Sequence, residues 1–293
     1  MSIMDKIRPG VLVISHGSRS AEWVRLVDEA VAQMRFGQPA AALGGGPSDE
    51  EPRAMPADRD HGHSIIPVES SFLEIVEGRL IQDGIDRLEA QGVTDIIAVP
   101  LFVSSGSTHV DEISWSLGVV EEPKLETDLE LMRVNARVHW CRPMDDEPEI
   151  AAMLWEKVRE LSVRPEREIL LLVGHGSKEE GFHEQWQQVL SSLAKQLGEL
   201  GGFAATDTAM LLPEQAAERV KYWQRERPDW DVVVAPFFLS EGYFTETVIP
   251  TRLQGLEYRY NGRALLPHPL VAEWLNHRVE SALSRLTRTA LKT

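Results

Sequence analysis

The chain has 293 residues, 43% of them hydrophobic and 26% charged, which is enough for about two domains with real cores. Its formal net charge of −16 argues against non-specific nucleic-acid binding. The single cysteine, Cys141, excludes an intrachain disulfide or a cysteine-built cluster, and no apolar run approaches the ~18 residues of a membrane span.

In chain order, Val11–Ile14 reads as a short buried strand with no room for a signal-peptide core, so a cytoplasmic enzyme is expected. Ala21–Phe36 follows with Ala21, Val24, Val27, Val31 and Met34 at helical spacing. Residues 37–63, "GQPAAALGGGPSDEEPRAMPADRDHGH", are rich in Gly, Pro, Ala and acid. Such a composition cannot bury a core and reads as a flexible surface insertion. The "HGH" of His61 and His63 is read as part of that loop. Glu69–Ala90 reads as a helix with Phe72, Val76, Leu80, Ile85 and Leu88 inward and Gly92 as its C-terminal cap. Asp95–Val99 is a strand running into the loop "PLFVSSGSTH". Leu131–His139 is a further apolar run. Pro148–Leu161 is an acid-started helix that would close the first domain.

The pattern then restarts. "EILLLVGHGS" matches "GVLVISHGS", and "DVVVAPFFLSEG" matches "DIIAVPLFVSSG". His16 and His175 lie farther apart than Pro100 and Pro236, by about the length of the insertion. The chain is therefore an internal duplication of a βαβ-type unit. The expected fold is α/β: two tandem Rossmann-like modules, residues 1–163 and 164–293, each a mainly parallel sheet flanked by helices. One chain holding two modules is compatible with a monomer.

In open α/β sheets, ligands bind beyond the carboxyl ends of the strands. His16 and His109 both leave strands at that edge and are expected to face one crevice. Two imidazoles with a nearby carboxylate suit a divalent metal, and Glu74 in "SSFLE" is the candidate carboxylate. Ser18 and Ser177 stand where helix caps are expected. Gly44–Gly46 lacks the Gly-Lys-Ser/Thr of a phosphate loop, and Gly-x-Ser-x-Gly is absent.

"VLVISHGS", "SSFLE" and "VPLFVSSGSTHVDEI" together resemble the sirohydrochlorin chelatases of the CbiX/SirB type, and the likeness runs over nearly the whole chain as two chelatase-like modules. The resemblance implies ATP-independent insertion of Co²⁺ or Fe²⁺ into sirohydrochlorin, in cobalamin or sirohaem biosynthesis. It implies His16, His109 and Glu74 as catalytic residues and His16 and His109 as the metal ligands. The expected partners are sirohydrochlorin or a related tetrapyrrole and a divalent metal, with no cofactor beyond that substrate ion, no nucleic acid and no membrane. The macrocycle carries carboxylates, which an acidic chain repels. Local donors are therefore expected at Arg19, Ser104, Ser105, Ser107 and Thr108, together with helix-start N–H groups.

The second copy keeps His175, but aligned motifs place Thr245 opposite His109 and Leu212 opposite Glu74. One ligand without partners is not expected to make a comparable site, so the C-terminal module is expected to close the cleft and hold the tetrapyrrole. Two other readings stay open: a metal or tetrapyrrole carrier without turnover, and a histidine-phosphatase-like phosphotransfer enzyme.

Overall fold

The computed structural model describes residues 7–36 and 66–290. The 37–63 insertion lies outside them. The element order is β1 (Pro9–Ser15), α1 (Ala21–Ala32), β2 (Val68–Phe72), α2 (Ile81–Ala90), β3 (Asp95–Pro100), α3 (Thr108–Ser116), β4 (Arg137–Trp140), α4 (Pro148–Val158), β5 (Glu168–Gly176), α5 (Phe182–Gly201), β6 (Ala205–Leu212), α6 (Ala216–Glu226), β7 (Asp231–Phe237), α7 (Ile249–Arg252) and α8 (Pro269–Ala290).

The strands form two wholly parallel sheets, ordered β2-β1-β3-β4 and β6-β5-β7. The duplicated apolar runs are the central strands of the two sheets. A parallel sheet with helices on both faces buries both sets of alternating side chains. On β1, Val11 and Val13 enter one core while Leu12 and Ile14 enter another with Ile81, Ile85 and Leu88 of α2. Each fully buried side chain of this kind contributes about 1.5–3 kcal/mol relative to exposure. On β5, Leu170 and Leu172 face the first of these cores while Leu171 and Val173 pack with Ala216 and Val220 of α6.

The large core belongs to both sheets. It joins Val11, Val13, Ile97 and Val99 of the first to Leu170, Leu172, Val233 and Ala235 of the second. The closing helices cross: α4 packs on α5 and β7 of the second half, and α8 packs on α1 and β3 of the first. Arg278 of α8 donates to Glu147 Oε1 at 2.5 Å, and Lys157 Nζ of α4 donates to the Pro267 carbonyl at 2.9 Å. The sequence led us to expect the 148–161 helix to close its own half. Its periodicity reports which face is buried, and with Ile150, Ala151, Met153, Leu154 and Val158 all inside, that face meets elements of both halves.

A second correction concerns residues 69–90. Only Ile81–Ala90 is helix. Residues 68–72 instead satisfy the free hydrogen-bonding edge of β1, with Val11 against Val68 and Ser15 against Phe72. Phe72 is thus a strand residue, and 73–80 form the turn between. Among the described residues no helix is long and apolar enough to cross a membrane.

Candidate functional site

The chain crosses from one side of β1 to the other between β2 and β3, which makes the carboxyl end of β1 a topological switch point. His16 is the residue that leaves it. The ladder between β1 and β2 continues past the strands: Leu73 N donates to Ser15 O at 2.8 Å and Glu74 N to His16 O at 3.1 Å. Gly17 then turns away at φ +108, and a Cβ there would lie 2.1 Å from the Glu74 carbonyl oxygen. The glycine of "HGS" is therefore required by the backbone that carries the "FLE" glutamate. The Ser18 hydroxyl accepts the Ser20 N–H at 3.1 Å and tightens the turn. The helix cap expected of Ser18 is supplied by Ser20, whose hydroxyl accepts the Trp23 N–H at 3.3 Å.

His109 arrives on the second residue of α3. Its loop lies against the start of α5, so close that a Cβ on Gly106 would be 2.6 Å from Trp186 Cδ1 and 2.9 Å from the Phe182 carbonyl. Asp145 Oδ1 accepts both the N–H (2.7 Å) and the hydroxyl (2.9 Å) of Ser105, and Ser104 Oγ accepts the Gly106 N–H at 3.0 Å. Burial holds the Asp145 carboxyl above its usual range, against the pull of those donors.

The two imidazoles meet with Nε2 atoms 3.2 Å apart and ring planes at 81°. Their Nδ1 atoms are engaged elsewhere: His16 with the Gly17 carbonyl at 3.2 Å, His109 with Glu112 Oε1 at 2.6 Å. Donation from Nδ1–H to those acceptors leaves a lone pair on each Nε2, facing the other. Two lone pairs so close repel unless a cation or a proton lies between. Burial chiefly, and then the neighbouring His109, lower the pKa of His16; Gly17, Glu74 and Glu112 oppose that shift. Neutral imidazole is the metal-binding form.

Glu112 was not among the residues singled out in the sequence. The signal was present as His-x-x-Glu on one helix, since i and i+3 share a face. Its second oxygen accepts the Thr127 hydroxyl at 2.7 Å, giving a Thr–Glu–His chain that fixes ring orientation and tautomer. Glu74 Oε1 lies 3.6 Å from His16 Nδ1, so it faces the outer nitrogen, away from the Nε2 pair. Among the described residues no group of three or more His, Cys, Asp or Glu side chains converges as a metal cluster.

These residues open on a cleft of about 680 Å³ whose walls come from both halves. The first half contributes His16, Ser104, Ser107, Thr108, His109, Glu112 and Thr127 to its lining, and the second half His175, Leu212, Phe238 and Phe244. Of the expected anion donors, Ser104, Ser107 and Thr108 are on the wall, whereas Ser105 is turned to Asp145 and Arg19 is exposed outside the lining.

The family model named CbiX matches the chain twice, over residues 48–161 and 169–282, together well over half its length. The chain belongs to the CbiX family. The first CbiX match opens after β1, so the position of His16 beside His109 comes from the fold and not from that match. No curated protein sequence matches the chain significantly. Among solved structures, SirB from Bacillus subtilis with Fe³⁺ is similar at a TM-score of 0.66 and 18% identity, over 94% of this chain and 96% of that one. A CbiX described as the terminal enzyme for siroheme biosynthesis in denitrifying bacteria gives 0.57 and 16%, over 93% and 99%. DR2241 from Deinococcus radiodurans, a multi-domain protein described as structurally similar to chelatases, gives 0.56 and 19%, over 93% of this chain and 55% of that one. At these identities the likeness shows the shared fold.

The second CbiX repeat reproduces the turn. His175 Nδ1 is 3.0 Å from the Gly176 carbonyl, Ser177 Oγ accepts the Glu179 N–H at 3.1 Å, and a Cβ on Gly176 would lie 2.4 Å from the Leu212 carbonyl. Ser177 does not cap the helix, which starts only at Phe182. The Leu212–Glu74 equivalence follows from these matching contacts. The Thr245–His109 equivalence does not. Residues Tyr243–Val248 form a π-helical turn, which displaces the register. Phe244 takes the place beside the histidine, with ring centroids 4.9 Å apart at 89°, while Thr245 turns inward to Gly242.

Proposed function

We propose that the protein inserts a divalent metal, Co²⁺ or Fe²⁺, into sirohydrochlorin without ATP, in cobalamin or sirohaem biosynthesis. The observation that carries the proposal is the His16–His109 pair, whose Nε2 atoms lie 3.2 Å apart. A gap of 3.2 Å is what two imidazoles about 2.0–2.1 Å from one shared ion leave between them at a near-tetrahedral angle. Family membership and the metal-bearing and siroheme-forming proteins with the same fold support the reading.

Two nitrogen ligands hold the substrate ion loosely and leave its other positions open to the pyrrole nitrogens. No thiolate competes for it, since Cys141 is buried and its thiol is pushed further toward the protonated form by that burial. Insertion releases two pyrrole protons. Glu74, half-exposed beside His16 Nδ1, accepts them one after the other through the imidazole and delivers each to water before the next. Ser107, Thr108 and the N-terminal N–H groups of α3 face the macrocycle's carboxylates, with Ser104 behind them; Ser105 and Arg19 contribute through the loop and by charge. In this reading residues 1–163 carry the metal, residues 164–293 carry the macrocycle, and one chain supplies both walls.

The test is the absorption change of sirohydrochlorin with Co²⁺ or Fe²⁺ at sub-stoichiometric protein. Many turnovers per chain are expected. A reaction that stops at one equivalent identifies a carrier instead. Glu74→Gln is expected to slow turnover more than it weakens macrocycle binding.

A further inference from the structure

Among the described residues, two that are not glycine have positive φ, Ile75 (+71°) and Asp145 (+50°). Ile75 follows Glu74, and Asp145 touches the loop that leads to His109. A non-glycine residue in this region is uncommon and is held there by its surroundings, and such residues gather at functional sites. Asp145 carries a second cost. It is 3% exposed, and burial raises its pKa against the pull of Ser105 and Arg142. A glycine would make the same turn with neither cost.

The two halves give an internal comparison. Past the end of β4, Met144 N donates to Phe102 O and Asp145 N to Val103 O, both at 3.0 Å. In the second half Leu265 N donates to Phe238 O at 3.0 Å and Leu266 N to Leu239 O at 2.7 Å. With Pro236 opposite Pro100 these are the same two bonds, so Leu266 stands at the register of Asp145 and Glu241 at that of Ser105. The backbone path therefore forms without a carboxylate. The half that lacks the second histidine has an aliphatic side chain there. The half that has it carries Asp145, whose Oδ1 accepts the N–H and the hydroxyl of Ser105 at 2.7 and 2.9 Å.

We infer that Asp145 is a positioning residue: through Ser105 it fixes the loop that carries His109, and so the reach of the His109 ring toward His16. The inference rests on the reading of that pair as the metal site. Gly106, the next residue, is pressed against Trp186 and the Phe182 carbonyl of α5, so the loop is fixed by a carboxylate at one residue and by a helix at the next. His109 follows at the second residue of α3, and a shift of the loop moves its imidazole. Two nitrogens must reach one ion, and a ring displaced by about an ångström no longer does so well.

The experiment titrates Co²⁺ alone into wild type, Asp145→Gly, Asp145→Asn, Ser105→Ala and the Ser105→Ala/Asp145→Gly double variant, and measures the denaturation midpoint of each. Asp145→Gly keeps the turn and removes the acceptor. Its Co²⁺ affinity is expected to fall about tenfold, the low end for a group outside the ligands, with stoichiometry unchanged. Asp145→Asn keeps an oxygen that accepts both Ser105 donors and is expected to bind Co²⁺ nearly as wild type does. Ser105→Ala should lose less than Asp145→Gly, and the double variant no more than Asp145→Gly alone, because both act through one contact. A merely structural carboxylate would move the denaturation midpoint and leave Co²⁺ affinity unchanged. Wild-type affinity in Asp145→Gly therefore overturns the inference and leaves the chelatase reading standing. If wild type binds no Co²⁺, the metal-site reading fails and the inference with it. Should Asp145→Gly not fold, Ser105→Ala carries the test: reduced affinity supports the inference and unchanged affinity overturns it.

Discussion

At the end of β1 the ring of His16 meets that of His109 at 4.6 Å; at the end of β5 the ring of His175 meets that of Phe244 at 4.9 Å. Both contacts are edge-to-face. Both histidines have Nδ1 beside the carbonyl of the next glycine, and both glycines are pressed against the backbone of the neighbouring strand's exit. The two halves thus share everything the backbone demands of "HGS" and differ in what meets the ring. A repeated motif preserves a turn. Whether the turn does chemistry is decided by the side chain opposite, here 93 residues along the chain in the first half.

The comparison breaks most visibly at the two histidines proposed to hold the metal. His16→Ala and His109→Ala should each abolish most metallation, with metal affinity falling by more than the roughly 10–100-fold typical of an outer-shell partner. Metal titration and initial rates measure both effects. Glu112→Ala leaves both ligands in place but frees the His109 ring, and a loss of about 10–100-fold in metal affinity is expected. Thr127→Val, one bond further out, should cost less. An unchanged affinity in Glu112→Ala would show that the Thr–Glu–His chain is only structural.

His16 should also make the protein respond to acid. His16 has a lowered pKa, so the folded chain protonates it less readily than the unfolded chain does. Between the two pKa values the unfolded state binds more protons, and stability of the metal-free protein therefore rises with pH across a window below about 6.5. Protonation of His16 also removes its metal-binding lone pair, so metal affinity should fall once the pH drops through the folded-state pKa of His16. Titration of wild type against His16→Gln, by chemical denaturation at a series of pH values, isolates this contribution.

A smaller effect would rebuild the missing partner. Phe244→His places a second imidazole against His175, and the expected result is a second, weaker Co²⁺ equivalent per chain by equilibrium dialysis. No gain in stoichiometry would mean that the π-helical turn holds the ring in an unsuitable orientation. The smallest effect is expected of His175→Ala, within about twofold of wild-type turnover. A loss equal to that of His16→Ala in a folded protein would overturn the assignment of one metal site to the first half.

The sheet cores were legible because their strands are buried on both faces and read as unbroken apolar runs. The meeting of His16 with His109 was legible from the rule that places ligands at strand ends. Phe72 was misread because helical spacing beyond it extends backward without a marker, and only the open edge of β1 calls for a strand there. Glu112 was missed because a carboxylate on a helix surface is ordinary until the loop bearing Thr127 and the ring of His109 converge on it. The Phe244 register was hidden by one π-helical turn, which no residue count between glycine and partner reveals.

The crossing of α4 and α8 bears on how the cleft admits a large flat ligand. Two halves joined by a single linker can open like a clamshell. Here each half is roofed by the other's helix, and Trp274 of α8, 1% exposed, lies in the same core as Leu172 of β5. Swinging the halves apart would tear that core and wet its largest side chains. The frame is thus a fixed jaw, and what yields to an incoming ligand must be the strand-end loops along its rim.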